Sequence, residues 1–220
     1  MSTYSEVTSM VLDELKVNSD DSYFNEDHVM FLIDKYRSFL IQQKYKNEPV
    51  IPSVVYQTIC IPLIELTGTD CDGVHYLRSK KPLPMMYGFG TIQVTPYDYF
   101  QSAHIVIIPK ERMRFVGENR YSKNIIYCTL DAQNYLVFKS MNPQAYYLDF
   151  VRLTAIFDNP RIASEFKCDE ICDSDNMQIP IEDAMIPQLI EFIVKELSGV
   201  VYKKEDVNNN AQDDLKTEAQ

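Results

Sequence analysis

The sequence predicts an α+β fold in which helices at both ends of the chain flank a β-rich middle. Apolar residues recur at helical spacing in 1–48 and 181–199, whereas short β-branched runs separated by turns occupy 49–158. We expect the helices to form a small bundle, with a central antiparallel β-rich insertion and an extended C-terminal arm. The predicted segments are a helical hairpin (1–48), the β-rich insertion (49–158), a helical part that completes the bundle (159–199) and the arm (200–220).

Two helices separated by a short polar turn are predicted at the start of the chain. Thr3 and Glu6 have the spacing of a capping box, in which each side chain accepts a hydrogen bond from the other residue's backbone N–H. Asn25 is placed to cap a second helix over about 26–46. Because the connection between them is short, we expect the two helices to pair as an antiparallel hairpin.

The middle of the chain has the pattern of strands. The Gly- and Pro-rich stretch 67–90 is predicted to be a loop. Asn159 and Pro160 are placed as the N-cap and first residue of a short helix, and the last helix is expected to end at Gly199. The predicted strands are 54–66, 91–95, 104–109, 124–130, 134–140 and 146–157.

The charge of the chain is unevenly distributed around a net charge of −11. Residues 1–48 carry nine acids and five bases, residues 49–168 carry ten and twelve, and residues 169–220 carry thirteen and four. Such a chain should not wrap nucleic acid tightly, because that affinity comes mainly from Lys and Arg neutralising phosphates. An acidic surface instead lets DNA pass without sticking. No run of about 18 apolar residues occurs, so we expect no membrane-spanning segment.

Residues that could carry catalysis are few. The three histidines have no Ser, Cys or carboxylate at the spacing of a known catalytic set, so we expect no enzyme activity and no cofactor. The alternative is a small zinc-stabilised module or a metal-dependent enzyme. Its ligands would be Cys71, His75, Cys168 and Cys172. Because reduced, incidental thiols made in a cytosol are the simplest explanation of five cysteines, we expect no metal.

One basic cluster could contact phosphate or an acidic partner. An exposed strand and loop surface explains such a cluster, and a nucleic-acid-binding regulator is a second interpretation. A third is an intersubunit contact, in which the cluster faces the acidic ends of a neighbouring copy. The cluster consists of Lys110, Arg112, Arg114, Arg120 and Lys123.

The two ends of the chain resemble a known family. The stretch YSEVTSMVLDELKVNSDDSYFNEDHVMFLIDKYRSFLIQQKYK is similar to the opening helix pair of head-to-tail adaptors of tailed double-stranded DNA phages. The stretch MIPQLIEFIVKELSGVVYKKEDVNNNAQDDL resembles their closing helix and extended arm. In detail, including YQTIC, YLRSK, ERMRFVG and YLVFKSMNPQ, the chain resembles the ring or adaptor proteins of crAss-like podoviruses.

The resemblance implies a ring, typically dodecameric, that sits beneath the portal at the portal–tail junction of the virion. The protein would be made in the bacterial host cytoplasm, and its partners would be the portal protein, the next tail or ring protein and possibly tail fibre proteins, with DNA passing through the lumen. The β-rich insertion departs from the compact helical bundle of the family, and we expect it at the outer or distal surface. The arm would dock on the portal through Tyr202, Lys203, Lys204, Asp206, Val207, Asn208, Asn209, Asn210, Asp213, Asp214 and Leu215.

Overall fold

A computed structural model confirms the α+β class, with helices at both ends and seven strands between them. The structure describes residues 2–18, 25–66, 74–88, 90–98, 103–116, 121–166 and 177–205. The helices are α1 (Tyr4–Asn18), α2 (Glu26–Tyr45), α3 (Pro160–Ser164) and α4 (Ile186–Glu205). The strands are β1 (Gln57–Glu65), β2 (His75–Ser79), β3 (Gln93–Pro96), β4 (His104–Ile107), β5 (Ile125–Leu130), β6 (Leu136–Ser140) and β7 (Phe150–Ala155). Short 3-10 helices cover Ser53–Val55, Lys110–Phe115, Pro143–Tyr147 and Asp183–Met185.

The chain divides into two compact units. The helical unit comprises Met1–Gln43 and Asp173–Gln220, and the sheet unit comprises Lys44–Cys172. This division places α3 in the sheet unit, whereas the sequence pattern grouped it with the closing helical segment. The reason is local packing, because Ala163 of α3 is buried in the core of the sheet and the Cys60 N–H donates to the Phe166 carbonyl at 2.8 Å.

Side-chain caps begin the helices where the sequence predicts them. The Thr3 N–H donates to Glu6 Oε2 at 2.9 Å, and the Glu6 N–H donates to Thr3 Oγ1 at 3.2 Å, which confirms the capping box. Asn25 Oδ1 accepts from the Asp27 N–H at 3.0 Å. Asn159 caps α3 in the same way, with Pro160 at its first position.

The helical unit is held by apolar packing and by two buried polar contacts. Helix α1 packs against α4. The buried Tyr4 hydroxyl donates to Asp34 Oδ1 at 2.6 Å and joins α1 to α2. Arg37 Nε donates to the Pro180 carbonyl at 3.0 Å and joins α2 to the segment before α4. The apolar contribution comes from buried residues that include Val7, Val11, Leu15, Leu32, Ile33, Leu189, Ile193 and Leu197.

The final helix begins and ends further along the chain than the predicted 181–199, because the 3-10 helix Asp183–Met185 precedes it. It begins at Ile186, with Pro187 in its first turn, and continues through Gly199 to Glu205. The predicted stop at Gly199, and an extended arm that starts at residue 200, are therefore wrong for 200–205. A glycine inside a helix costs only about 1 kcal/mol relative to alanine, and the favourable residues around it offset that cost. Residues 206–220 lie outside the described part of the chain.

The sheet unit contains one seven-stranded sheet that nearly closes on itself. The strand order is β3-β7-β1-β2-β6-β5-β4, and the two end strands, β3 and β4, come into contact. Residues directly opposite in the central pair include Ile59 and Leu153, and Ile61 and Val151. All four side chains are buried in the core of the unit.

Two features of the sheet correct the sequence expectations. Strand β2 lies in the stretch predicted to be a loop. It forms because β1 and β6 supply hydrogen-bonding partners on both sides. The prediction missed it because the flanking Gly and Pro residues dominate the local sequence pattern. The β4–β5 pair is parallel, whereas every other pair of neighbouring strands is antiparallel. Within the described residues, no helix is both long and apolar enough to cross a membrane.

Candidate interaction surfaces

A groove in the sheet unit lies beside the predicted basic cluster. The 3-10 helix Lys110–Phe115 follows β4 and packs against β5. Lys139 on β6 helps to position it, because its Nζ donates to the Met113 carbonyl at 3.3 Å. The groove between them has a volume of about 650 Å³. It is lined by Lys110, Glu111, Met113, Arg114, Phe115, Thr129, Asp131 and Val137.

The bases around this groove differ in whether the chain neutralises them. Lys110 Nζ forms an ion pair with Asp131, and the hydrogen bond from Lys110 holds the pKa of that carboxyl below its usual value. Arg112 and Arg114 are exposed, and neither guanidinium has a hydrogen-bond or ion-pair partner among the residues that the structure describes. Within the described part of the chain, these two cationic groups therefore have no internal acceptor.

An apolar side chain accompanies these cations. Phe115 ends the 3-10 helix with 83% of its surface exposed while lining the groove. Tyr121, in the turn before β5, is 95% exposed. A large apolar side chain exposed beside exposed arginines is typical of protein interfaces, where aromatic residues and Arg are enriched.

The helical unit has an aromatic surface of its own. Phe31 and Phe39 on α2 are 57% and 52% exposed. The Phe31 ring stacks with His28, with centroids 6.5 Å apart, and the Phe39 ring meets Phe192 of α4 edge-on at 6.1 Å. The surface thus extends along α2 and onto α4.

A charged cluster links α2 to α4 within this unit. Lys35 Nζ lies 2.9 and 3.0 Å from the two carboxylate oxygens of Glu196, and the Tyr36 hydroxyl donates to the same carboxylate. Hydrogen bonding to Glu196 raises the pKa of Tyr36 to about 12. The hydrogen bond from Tyr36, and then that from Lys35, lower the pKa of Glu196. This cluster joins the two helices by polar contacts.

Comparison with known proteins assigns the chain to a family. Residues 6–215 match the family of phage tail ring protein 2. The chain belongs to the phage tail ring protein 2 family. It is 48% identical to Ring protein 2 of Bacteroides phage crAss001 over 221 residues, which cover 97% of this chain and 98% of that protein. The chain is therefore a structural phage tail ring protein, and its resemblance to ring proteins of crAss-like phages is confirmed.

The structure brings part of the predicted basic cluster of this tail ring protein together. Lys110, Arg112 and Arg114 share one 3-10 helix, and Lys123 is exposed in the turn before β5. Arg120 lies outside the described residues. In the predicted portal-docking arm, Tyr202, Lys203 and Lys204 belong to α4, and the members from Asp206 to Leu215 lie outside the described residues.

The candidate zinc ligands are tested only in part. His75 is buried at the start of β2, whereas Cys71, Cys168 and Cys172 lie outside the described residues. Among the described residues, His, Cys, Asp and Glu side chains form no group of three or more that could hold a metal ion. The expectation of reduced thiols is wrong for Cys60, which takes part in a disulfide bond.

Sequence reasoning missed Phe31 and Phe115, the two most exposed phenylalanines among the described residues. A signal for Phe31 was present, because it stands one helical turn after Asp27 and one turn before Lys35, on the polar face of α2. The exposure of Phe115 had no such signal, since it depends on how the 3-10 helix packs against the sheet.

Proposed function

We propose that this tail ring protein assembles into a closed homo-oligomeric ring at the portal–tail junction and joins the portal to the next tail component. The observation that carries the proposal is the family match over residues 6–215, which includes both compact units. Closed rings form when one face of a subunit binds a different face of the next copy and the rotation closes. The earlier resemblance to adaptors favours a dodecamer.

The ring surrounds a lumen through which DNA passes without specific binding. The net charge of −11 supports this role, since each copy adds negative charge that repels the phosphate backbone. Tight DNA binding would require a surplus of Lys and Arg to neutralise phosphates.

The segment that follows α4 docks on the portal. It contains four acids, one base and few apolar residues over 206–220, a composition suited to binding a partner surface. Every copy in the ring carries this segment, so many segments bind the portal at once. Their combined binding is strong even when each single contact is weak. The sheet unit, on the outer or distal side, receives the next ring or tail fibre protein.

Native mass spectrometry of the full chain, alone and mixed with its portal protein, tests this function. The expected result is a ring whose mass is a whole multiple of 25.6 kDa and which binds the portal. A monomer in both samples refutes the proposal.

The docking segment is tested separately by deleting 206–220. The control is a chain with the same residues in shuffled order, which keeps composition and charge. We expect both variants to retain ring formation and to lose portal binding. Portal affinity equal to that of the unaltered chain in the deletion variant shows the docking assignment to be wrong.

A further inference from the structure

The two units of the tail ring protein differ sharply in charge. Residues 1–43 and 173–220 contain 19 acidic and 7 basic residues, a net charge of −12. Residues 44–172 contain 13 acidic and 14 basic residues, a net charge of +1. One chain therefore carries two units of different charge, and a head-to-tail contact between identical copies can pair a surface of one with a surface of the other.

The groove of the sheet unit is built to receive an acidic, partly apolar surface. Arg112 and Arg114 have no acceptor among the described side chains, while Lys110 is already paired with Asp131. Phe115 supplies an exposed apolar wall beside them. An occupant that offers carboxylates to the arginines and an apolar side chain to Phe115 matches both features.

The first turns of α2 offer this combination. Glu26 and Asp27 are exposed and have no basic partner among the described residues. Phe31 is one helical turn after Asp27 on the same face and is 57% exposed. Asp27 and Phe31 therefore offer a carboxylate and an aromatic ring on one face of α2, and Glu26 adds a second carboxylate at the start of the helix.

We propose that the groove beside Lys110–Phe115 binds the start of α2 of a neighbouring copy, with Glu26 and Asp27 facing Arg112 and Arg114. Phe31 of that copy packs near Phe115. The proposal rests on the ring function above and deepens it by naming the two faces of the subunit contact. Every copy uses its groove on one side and its α2 on the other, so the contact repeats around the ring.

A charge swap tests this contact. The groove variant carries Arg112→Glu and Arg114→Glu, and the helix variant carries Glu26→Arg and Asp27→Arg. Each variant alone places like charges in every subunit contact, so we expect self-association to weaken about tenfold or more. An equimolar mixture restores opposite charges when the two variants alternate around a ring with an even number of copies.

The mixture is measured by native mass spectrometry with one variant labelled with ¹⁵N, in the presence of portal protein if the unaltered chain needs it. We expect rings that contain equal numbers of labelled and unlabelled copies. The matched control is Lys46→Glu with Lys81→Glu, which makes the same change of charge at exposed lysines of the sheet unit that do not line the groove. The control should form rings as the unaltered chain does.

Phe31→Ala provides a second test of the α2 surface. It is needed because arginines at the start of α2 oppose the helix dipole and destabilise the helix variant. Phe31→Ala leaves all charges in place, and we expect weaker ring formation with an unchanged circular dichroism spectrum.

The outcomes separate the two proposals. If the unaltered chain forms no ring with or without portal, the ring function itself fails. If the unaltered chain forms rings and the groove variant forms them equally well, or if mixing restores nothing, the subunit contact is elsewhere. In that case the groove serves the portal, a fibre protein or another tail component.

Discussion

Replacement of Gly90 by alanine should destabilise the sheet unit, although it adds only one methyl group. The φ of Gly90 is +85°, a backbone conformation that residues with a side chain rarely adopt. A Cβ there would lie 3.0 Å from Tyr56 Oη, 3.1 Å from Ile156 Cδ1 and 3.2 Å from Ile51 Cδ1. The Tyr56 hydroxyl also accepts the Thr91 N–H at 3.1 Å, so movement of Tyr56 would lose that bond.

The cost of Gly90→Ala has two parts. The positive φ costs an alanine about 1–2 kcal/mol, and loss of the hydrogen bond that the Tyr56 hydroxyl accepts from the Thr91 N–H, once the added Cβ displaces it, costs about 1 kcal/mol more. We therefore expect the free energy of unfolding to fall by about 2–3 kcal/mol, a large share of the roughly 5–15 kcal/mol typical of a folded domain. Gly88 is the matched control, since no atom lies within 4 Å of its added Cβ and its φ is not positive.

Urea unfolding of the two variants measures this difference. The chain has 15 tyrosines and no tryptophan, so tyrosine fluorescence follows the transition. Gly88→Ala should change the free energy of unfolding by less than about 1 kcal/mol, because removing glycine mainly restricts the unfolded chain. If the two variants unfold at the same urea concentration, the argument from backbone conformation and crowding at Gly90 is refuted.

Three further predictions concern the described side chains. Tyr36→Phe should lower the free energy of unfolding by about 1 kcal/mol, because it removes a hydrogen bond. The pKa of Tyr36 is raised from 10.0 to about 12 in the folded protein, so the stability that its hydroxyl contributes is full below pH 10 and is lost as the pH rises towards 12. Urea unfolding at several pH values should therefore show a loss of stability above pH 10 in the unaltered chain that Tyr36→Phe lacks. Thr3→Ala should cost about 1 kcal/mol by removing the capping box, whereas Ser9→Ala, on the exposed side of α1, should cost less in the same thermal unfolding assay. Burial raises the pKa of Cys128 to about 12, so peptide mapping should find this thiol unalkylated in the folded protein and alkylated in urea; alkylation at equal rates in both contradicts its burial.

The starts of α1, α2 and α3 could be predicted from sequence because their physics is local. A capping box or an Asx cap joins residues two or three positions apart, as at Thr3 and Asn25. The stop at Gly199 failed because packing and the neighbouring helix formers decide whether a helix ends at a glycine. The packing of α3 had no local signal either, since the burial of Ala163 depends on the sheet.

The sheet was less accessible to sequence reasoning. Strand β2 is five residues long and pairs with segments on both sides that are distant in sequence, so its formation depends on non-local hydrogen bonds. The direction of the β4–β5 pair also has no local signal, because alternation of side chains is the same in parallel and antiparallel strands.

The sequence by itself determined the α+β class, the caps of the helices, the unequal charge of the chain and the family to which the chain belongs. These properties depend on residue order over short distances or on overall likeness to related chains. Only the tertiary structure decided that Lys110 is paired with Asp131, that Arg112 and Arg114 have no partner among the described residues, and that Phe115 is exposed beside them. Ion pairing and exposure are set by residues far apart in sequence, which come together only when the sheet has formed.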